Sequence, residues 1–161
     1  MKKVNISFDL FVFESLTALP VGNQKLLKMA IKSRENAYAP YSKFKVGAAV
    51  LLENGEVVLG NNQENASYPS GLCAERVAIF QAGAIYPGVK IKTIAISATS
   101  EKYELDRPAG PCGNCRQSIA EYEQKQQSPI AIIMMGSVGE IYKTNSIADI
   151  LPLGFEASYL K

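Results

Sequence analysis

Three cysteines are the only thiols in this 161-residue chain, and it contains no histidine. Cys112 and Cys115 form a Cys-x-x-Cys, while Cys73 stands 39 positions upstream with Glu75 two residues after it. Three thiolates leave a tetrahedral zinc shell one ligand short. Closed structural sites use four protein ligands, whereas catalytic sites use three and keep a position for water. With no histidine and no fourth cysteine, a zinc ion bound here keeps an open position unless a carboxylate fills it. Glu75 can approach such a site without being a ligand, and a carboxylate there suits proton transfer between water and a substrate. Taken alone, a glutamate in the first turn of a helix is more often just a partner of the helix dipole.

The elements that must aim these groups are two helix starts. Apolar spacing predicts helices from about residue 73 to 84 and from residue 112 or 113 to about 124, each after a loop. Backbone N–H groups at a helix start are unpaired and the dipole there favours negative charge, so thiolates are stabilised. Cys112 and Cys115, three apart, share a helix face and can grip one ion. Cys73 must then come from a second helix start pointing at the same place. Three thiolates on Zn²⁺ carry a net charge of about −1. Arg76 is the nearest compensator and is expected to hydrogen-bond a ligand sulfur; the plainer reading is a surface arginine of its helix.

Around these helices the chain reads as α/β. Residues 7–14 read as a strand suited to a sheet edge, and residues 24–38 as a helix capped by Asn23 and ended before Pro40. Residues 39–44 form a rigid aromatic loop into a strand at 46–53. Asn54-Gly55 predicts a type I′ hairpin to a return strand at 56–60. Residues 61–71 are a polar loop, and residues 89–99 and 130–135 are buried strands. A last strand at 140–143, a short helix at 147–151 and a tail with Phe155 complete a single domain with a mixed sheet.

Composition sets the outer bounds. Apolar content of 47% and charge of 20% are ordinary for a globular protein long enough to build its own core. The net charge of +2 is too small and dispersed for a nucleic-acid footprint. The first residues are interrupted by polar side chains and do not make a signal peptide; no apolar run reaches the ~18 residues of a membrane span. An odd cysteine count fits a reduced compartment, so the cytoplasm is expected.

Cys73-Ala74-Glu75 together with Pro111-Cys112-Gly113-Asn114-Cys115 resembles the three-cysteine form of the zinc deaminase signature. The flanking residues 38–49, 62–69 and 112–117 narrow the resemblance to the small, homotetrameric cytidine deaminases, over roughly residues 23–155. That resemblance implies a three-layer α/β/α sandwich with a five-stranded sheet. It also implies hydrolysis of cytidine and 2′-deoxycytidine to uridine and 2′-deoxyuridine with release of ammonia. Zinc would be held by Cys73, Cys112 and Cys115, with Glu75 as proton shuttle and the Ala74 backbone on the pyrimidine edge. Asn62 and Glu64 would grip the ribose 3′-hydroxyl and Phe44 would stack on the base. Phe155 would enter a neighbouring subunit's site, and Tyr41 and Tyr68 would lie at the rim or interface. Two stretches depart from the pattern: residues 1–22 are an extension carrying the extra strand, and residues 156–161 replace the usual acidic tail.

Three other readings compete. A deaminase of a modified nucleoside, such as the antibiotic blasticidin S, would use the same triad. A nucleic-acid editing or binding module would need the aromatic and basic stripe that is missing. A redox Cys-x-x-Cys would leave Cys73 and Glu75 without a role.

Overall fold

The computed structural model describes residues 1–160. Strands β1 (Phe11–Phe13), β2 (Phe44–Leu52), β3 (Val57–Asn61), β4 (Ile91–Ser100), β5 (Ala131–Met135) and β6 (Ile141–Thr144) make one sheet in the order β1-β6-β5-β4-β2-β3. Only β4 and β5 run parallel. A parallel pair needs a long crossover, and α3 (Gly113–Gln126) lies between these two strands in the chain. Helices α1 (Val21–Arg34) and α2 (Ala74–Ile85) complete the three layers.

Successive side chains of a strand point to opposite faces, and the burial follows that alternation. Ala49, Ala95, Ile133 and Ile141 pack with Leu26, Leu27 and Ala30 of α1. Their sequence neighbours Val50, Ile94, Ile96 and Ile132 pack with Ile79 of α2 and Ile119 of α3. α2 and α3 therefore lie side by side on one face, which brings their N-termini together.

The sheet has six strands, not five. The additional strand comes from the N-terminal extension, but only Phe11–Phe13 of the expected 7–14 pairs, antiparallel on β6. Helix α1 begins at Val21 with Pro20 as its N-cap, ahead of Asn23, and ends at Arg34. It stops early because the N–H groups of residues 35–37 bond three residues back and close tighter turns, while the Arg34 guanidinium donates to Ser97 Oγ (2.7 Å) and the Ala98 carbonyl (3.2 Å). The β2–β3 connection is not type I′: Gly55 has φ +89° but Asn54 has no positive φ. Gly55 N–H bonds the Leu52 carbonyl and Leu52 N–H bonds the Glu56 carbonyl, as in a type I turn followed by a left-handed residue. The helix expected at 147–151 is only a 3-10 turn, Ala148–Ile150.

Gly60 on β3 fixes how closely α2 approaches. A Cβ there would lie 2.4 Å from the Ala74 carbonyl oxygen and 2.6 Å from the Ala78 nitrogen. Gly60→Ala is therefore expected to lower stability by about 1–3 kcal/mol, the usual size of a forced backbone shift. A fall in the urea midpoint at unchanged slope measures it, and an unchanged midpoint refutes the close approach.

Candidate metal centre and its cleft

Cys73 and Cys112 are the N-cap residues of α2 and α3, both with extended backbone, and Cys115 lies in the first turn of α3. The two caps place the unpaired N–H groups of both helices around one point. Cys73 Sγ is 3.8 Å from Cys112 Sγ, and Cys112 Sγ is 3.5 Å from Cys115 Sγ. All three sulfurs lie within 4.8 Å of one another. Zinc–sulfur bonds of ~2.3 Å at tetrahedral angles separate ligand sulfurs by about 3.8 Å. The donor set therefore fits a zinc ion in number, type and spacing. Cys115 is fully buried and Cys112 is exposed, so one side of the trio opens outward.

The thiol charge is unevenly held. Hydrogen bonding from Cys115, with Arg76 and Cys112 adding to it against the opposing effect of burial, brings Cys73 down to about 5. Cys115, giving that hydrogen bond and buried beside Glu75, is pushed up. Arg76 is partly desolvated, yet the Cys73 and Cys115 sulfurs hold its pKa above the ordinary value. Its Nε is buried without a hydrogen-bond partner among the described residues, and Nη2 makes only a long contact, 3.5 Å, to the Gly71 carbonyl. A half-buried cation whose buried Nε lacks a partner, set beside the cysteine sulfurs, suits a negatively charged thiolate centre.

Glu75 is 4% exposed. Burial, helped by the Cys73 charge, pushes its carboxyl up to about 7. A carboxyl poised there can hold a proton or release it with little free-energy difference. Ala74, the first helical residue of α2, is fully buried between the cap and Glu75.

Glu75, Cys73 and Cys112 face a cleft of about 280 Å³ whose walls include Phe44, Val46, Ile96, Asn62, Glu64 and Gly110. Apolar walls with a few polar groups at one end suit a small, flat, polar ligand. Asn62 accepts from Val46 N–H (2.8 Å) and donates to the Phe44 carbonyl (2.9 Å), so its amide braces the start of β2. Glu64 accepts from Tyr41 N–H (2.9 Å), Ser42 N–H (3.2 Å) and the Ser42 hydroxyl. Desolvation is the largest single influence and raises its pKa, but these bonds together outweigh it and hold the carboxyl below the usual range, so it stays ionised.

Sequence reasoning passed over Ser42. Its hydroxyl donates to Glu64 and accepts from Phe44 N–H, at 2.9 Å, coupling the two cleft residues. Lys43 beside it has φ +61°, rare for a side chain of that size, and this kink turns Ser42 and Phe44 toward the cleft. The only sequence signal was Ser42's place in the aromatic loop.

Tyr41 and Tyr68 are exposed, with ring centroids 6.1 Å apart, on an adjoining cleft of about 450 Å³ that shares Ser42, Asn62, Glu64 and Cys73. Phe155 is not brought into this chain's cleft. It is exposed and stacked on Tyr159 at 5.6 Å, and its carbonyl accepts from Gln117 Nε2 at 2.9 Å.

The family model for the cytidine and deoxycytidylate deaminase zinc-binding region matches residues 21–128. The cytidine deaminase of Halalkalibacterium halodurans is 40% identical over 134 residues, covering 83% of this chain and 94% of its own length. That of Sporosarcina psychrophila is 41% identical over 133 residues, 82% of this chain and 90% of its own. Among solved structures, the cytidine deaminase from Burkholderia pseudomallei is 40% identical, superposes with a TM-score of 0.71, and covers 81% of this chain and 97% of its own.

Proposed function

The chain belongs to the cytidine and deoxycytidylate deaminase family, and from that premise we propose how its cleft performs the reaction. The reaction is hydrolytic deamination of cytidine and 2′-deoxycytidine to uridine and 2′-deoxyuridine, with release of ammonia. The observation that carries this is the convergence of three cysteines from two helix starts on one cleft with a buried glutamate.

Cys73, Cys112 and Cys115 would hold zinc, with Arg76 balancing the thiolate charge. When bound, the metal supplies a Lewis acid that lowers the pKa of water to about 7. Glu75 takes a proton from the attacking water and delivers it to the ring N3, as the water oxygen bonds to C4. It then carries the second water proton to the exocyclic amine, which leaves as ammonia. The proton on N3 stays in uridine, so one water is consumed and one ammonia released. A carboxyl near neutrality suits both directions of transfer.

Phe44, in the cleft wall, is where the pyrimidine would stack, and the backbone of Ala74, between Cys73 and Glu75, would meet its edge. Asn62 and Glu64 address the ribose 3′-hydroxyl. Glu64, ionised and fixed by the 41–42 loop, retains lone pairs for a substrate hydroxyl. Glu64→Ala should raise KM for cytidine about tenfold or more and change kcat much less, because that bond is made in the ground state as well. An unchanged KM would remove Glu64 from the ribose site.

We further assign the chain to a cytoplasmic homotetramer with composite sites, in which Phe155 serves a neighbouring subunit and Tyr41 and Tyr68 lie at the rim. The exposure of all three aromatics supports the shared sites, and among the described residues no helix is long and apolar enough to cross a membrane.

The direct test is the loss of cytidine absorbance on mixing with zinc-replete protein, with and without a chelator. Chelator-sensitive formation of uridine is expected. Turnover of a modified nucleoside but not of cytidine would overturn the substrate assignment.

A further inference from the structure

Residues 1–10 lie outside the matched family region, carry no regular secondary structure and lead directly into β1. Val4, Ile6, Phe8, Leu10 and Val12 alternate with other residues, and all five are between 44% and 69% exposed. Such alternation, strict from Val4 to Leu10 and relaxed at Phe11 and Phe13, is the pattern of a strand with one covered face. β1 is the terminal strand of the sheet, paired only to β6, so its outer edge presents free backbone donors and acceptors. A strand-forming arm joined to an open edge is a template for β-addition.

We propose that this arm pairs with the same arm of a second copy of the chain, antiparallel about a two-fold axis at Phe8. The self-complementarity of the sequence selects both the partner and the register. Centred on Phe8, Val4 lies opposite Val12, Ile6 opposite Leu10, and Phe8 opposite its own copy, so the apolar face meets apolar residues throughout. In the same register Lys2 lies opposite Glu14, a charge match at each end. Both are exposed, and neither forms an ion pair within the described chain. The other face sets Lys3 opposite Phe13, Asn5 opposite Phe11 and Ser7 opposite Asp9, with no like-charge contact. Residues 3–5 of each copy would then cover the outer edge of the other copy's β1, joining two sheets through an isologous interface. The interface uses none of the residues assigned to the cleft.

The full-length protein with Phe8→Cys tests the register. Directly opposed strand residues have Cα atoms roughly 4.5–5.5 Å apart, within the disulfide range. Mild oxidation should give an intermolecular cross-link much faster than with Ile6→Cys, whose counterpart is Leu10. The tetramer proposed above does not need this arm, which joins one tetramer to the next, so deleting residues 2–10 should reduce the assembly mass in sedimentation from two tetramers to one while leaving the circular dichroism spectrum unchanged. Lys2→Glu should weaken association and Lys2→Glu with Glu14→Lys should restore it. Equal cross-linking of the two cysteine variants would overturn the register. An assembly mass unchanged by the deletion would overturn the second copy as partner, including the case where the arm folds back on its own chain.

Discussion

Replacing Glu75 by Gln is expected to lower kcat for cytidine by about 10⁴-fold, with zinc content and fold retained. The side chain is buried and bounds the cleft with Cys73 and Cys112, and glutamine fills nearly the same volume. What it removes is the exchangeable proton. Positioned acid–base groups contribute typically 10²–10⁴-fold, and Glu75 acts in both proton transfers, so the upper end applies. That corresponds to about 5.4 kcal/mol of barrier. Cytidine should still bind to the variant, because the stacking wall and the ribose contacts are untouched. Steady-state kinetics with zinc analysis measures this, and a kcat within tenfold of the parent would assign the proton transfers to another group.

The second large effect is metal loss in Cys115→Ala. Cys115, proposed as a ligand, is fully buried in the first turn of α3, and its removal leaves two thiolates, too few to hold the ion. Zinc content should fall to near zero and turnover with it. Binding that favours the folded chain adds stability by mass action, about 4 kcal/mol when free zinc stands at 1,000 times its dissociation constant. The parent should therefore lose thermal stability when a chelator is added, whereas the variant should be insensitive to it. Stoichiometric zinc in Cys115→Ala would refute the ligand assignment. Because metal uptake displaces thiol protons, affinity should also weaken as the solution is acidified.

The two variants separate roles that adjoin in the chain. Glu75→Gln leaves the metal and removes the proton carrier; Cys115→Ala removes the metal and leaves the carrier. A protein in which both changes gave the same zinc-free state would have Glu75 as a ligand.

How much of this was legible in the sequence depends on how local each feature is. The ends of α2 and α3 were readable because cap and first-turn positions follow from nearby residues, and Cys73 and Cys112 indeed stand as the two caps. The start of α1 was misplaced. Proline and glycine ordinarily interrupt helices, but Pro20 caps this one from outside, and a Cβ at Gly22 would meet nothing within 4 Å. Asn54-Gly55 gave the hairpin and not its turn type, since a three-residue connection uses the same glycine with a different partner for Leu52. The sixth strand was foreseen as an extension, but its length was not, because β6 offers partners only to residues 11–13.

By itself, the sequence determined the chemistry: three thiols, no imidazole, and one glutamate two residues beyond a cysteine. Coordination and proton transfer depend on which atoms are present, and helix-start spacing is set within a few residues. Only the tertiary structure decided that segments 39 positions apart meet, because that requires α2 and α3 to pack on the same sheet face, with Gly60 letting α2 approach. It also decided that Glu75 is buried enough to titrate near neutrality, that Arg76 feels the charge of the Cys73 and Cys115 sulfurs, and that Ser42 couples Glu64 to Phe44. Burial and electrostatic neighbours are sums over residues distant in the chain, so no stretch of sequence contains them.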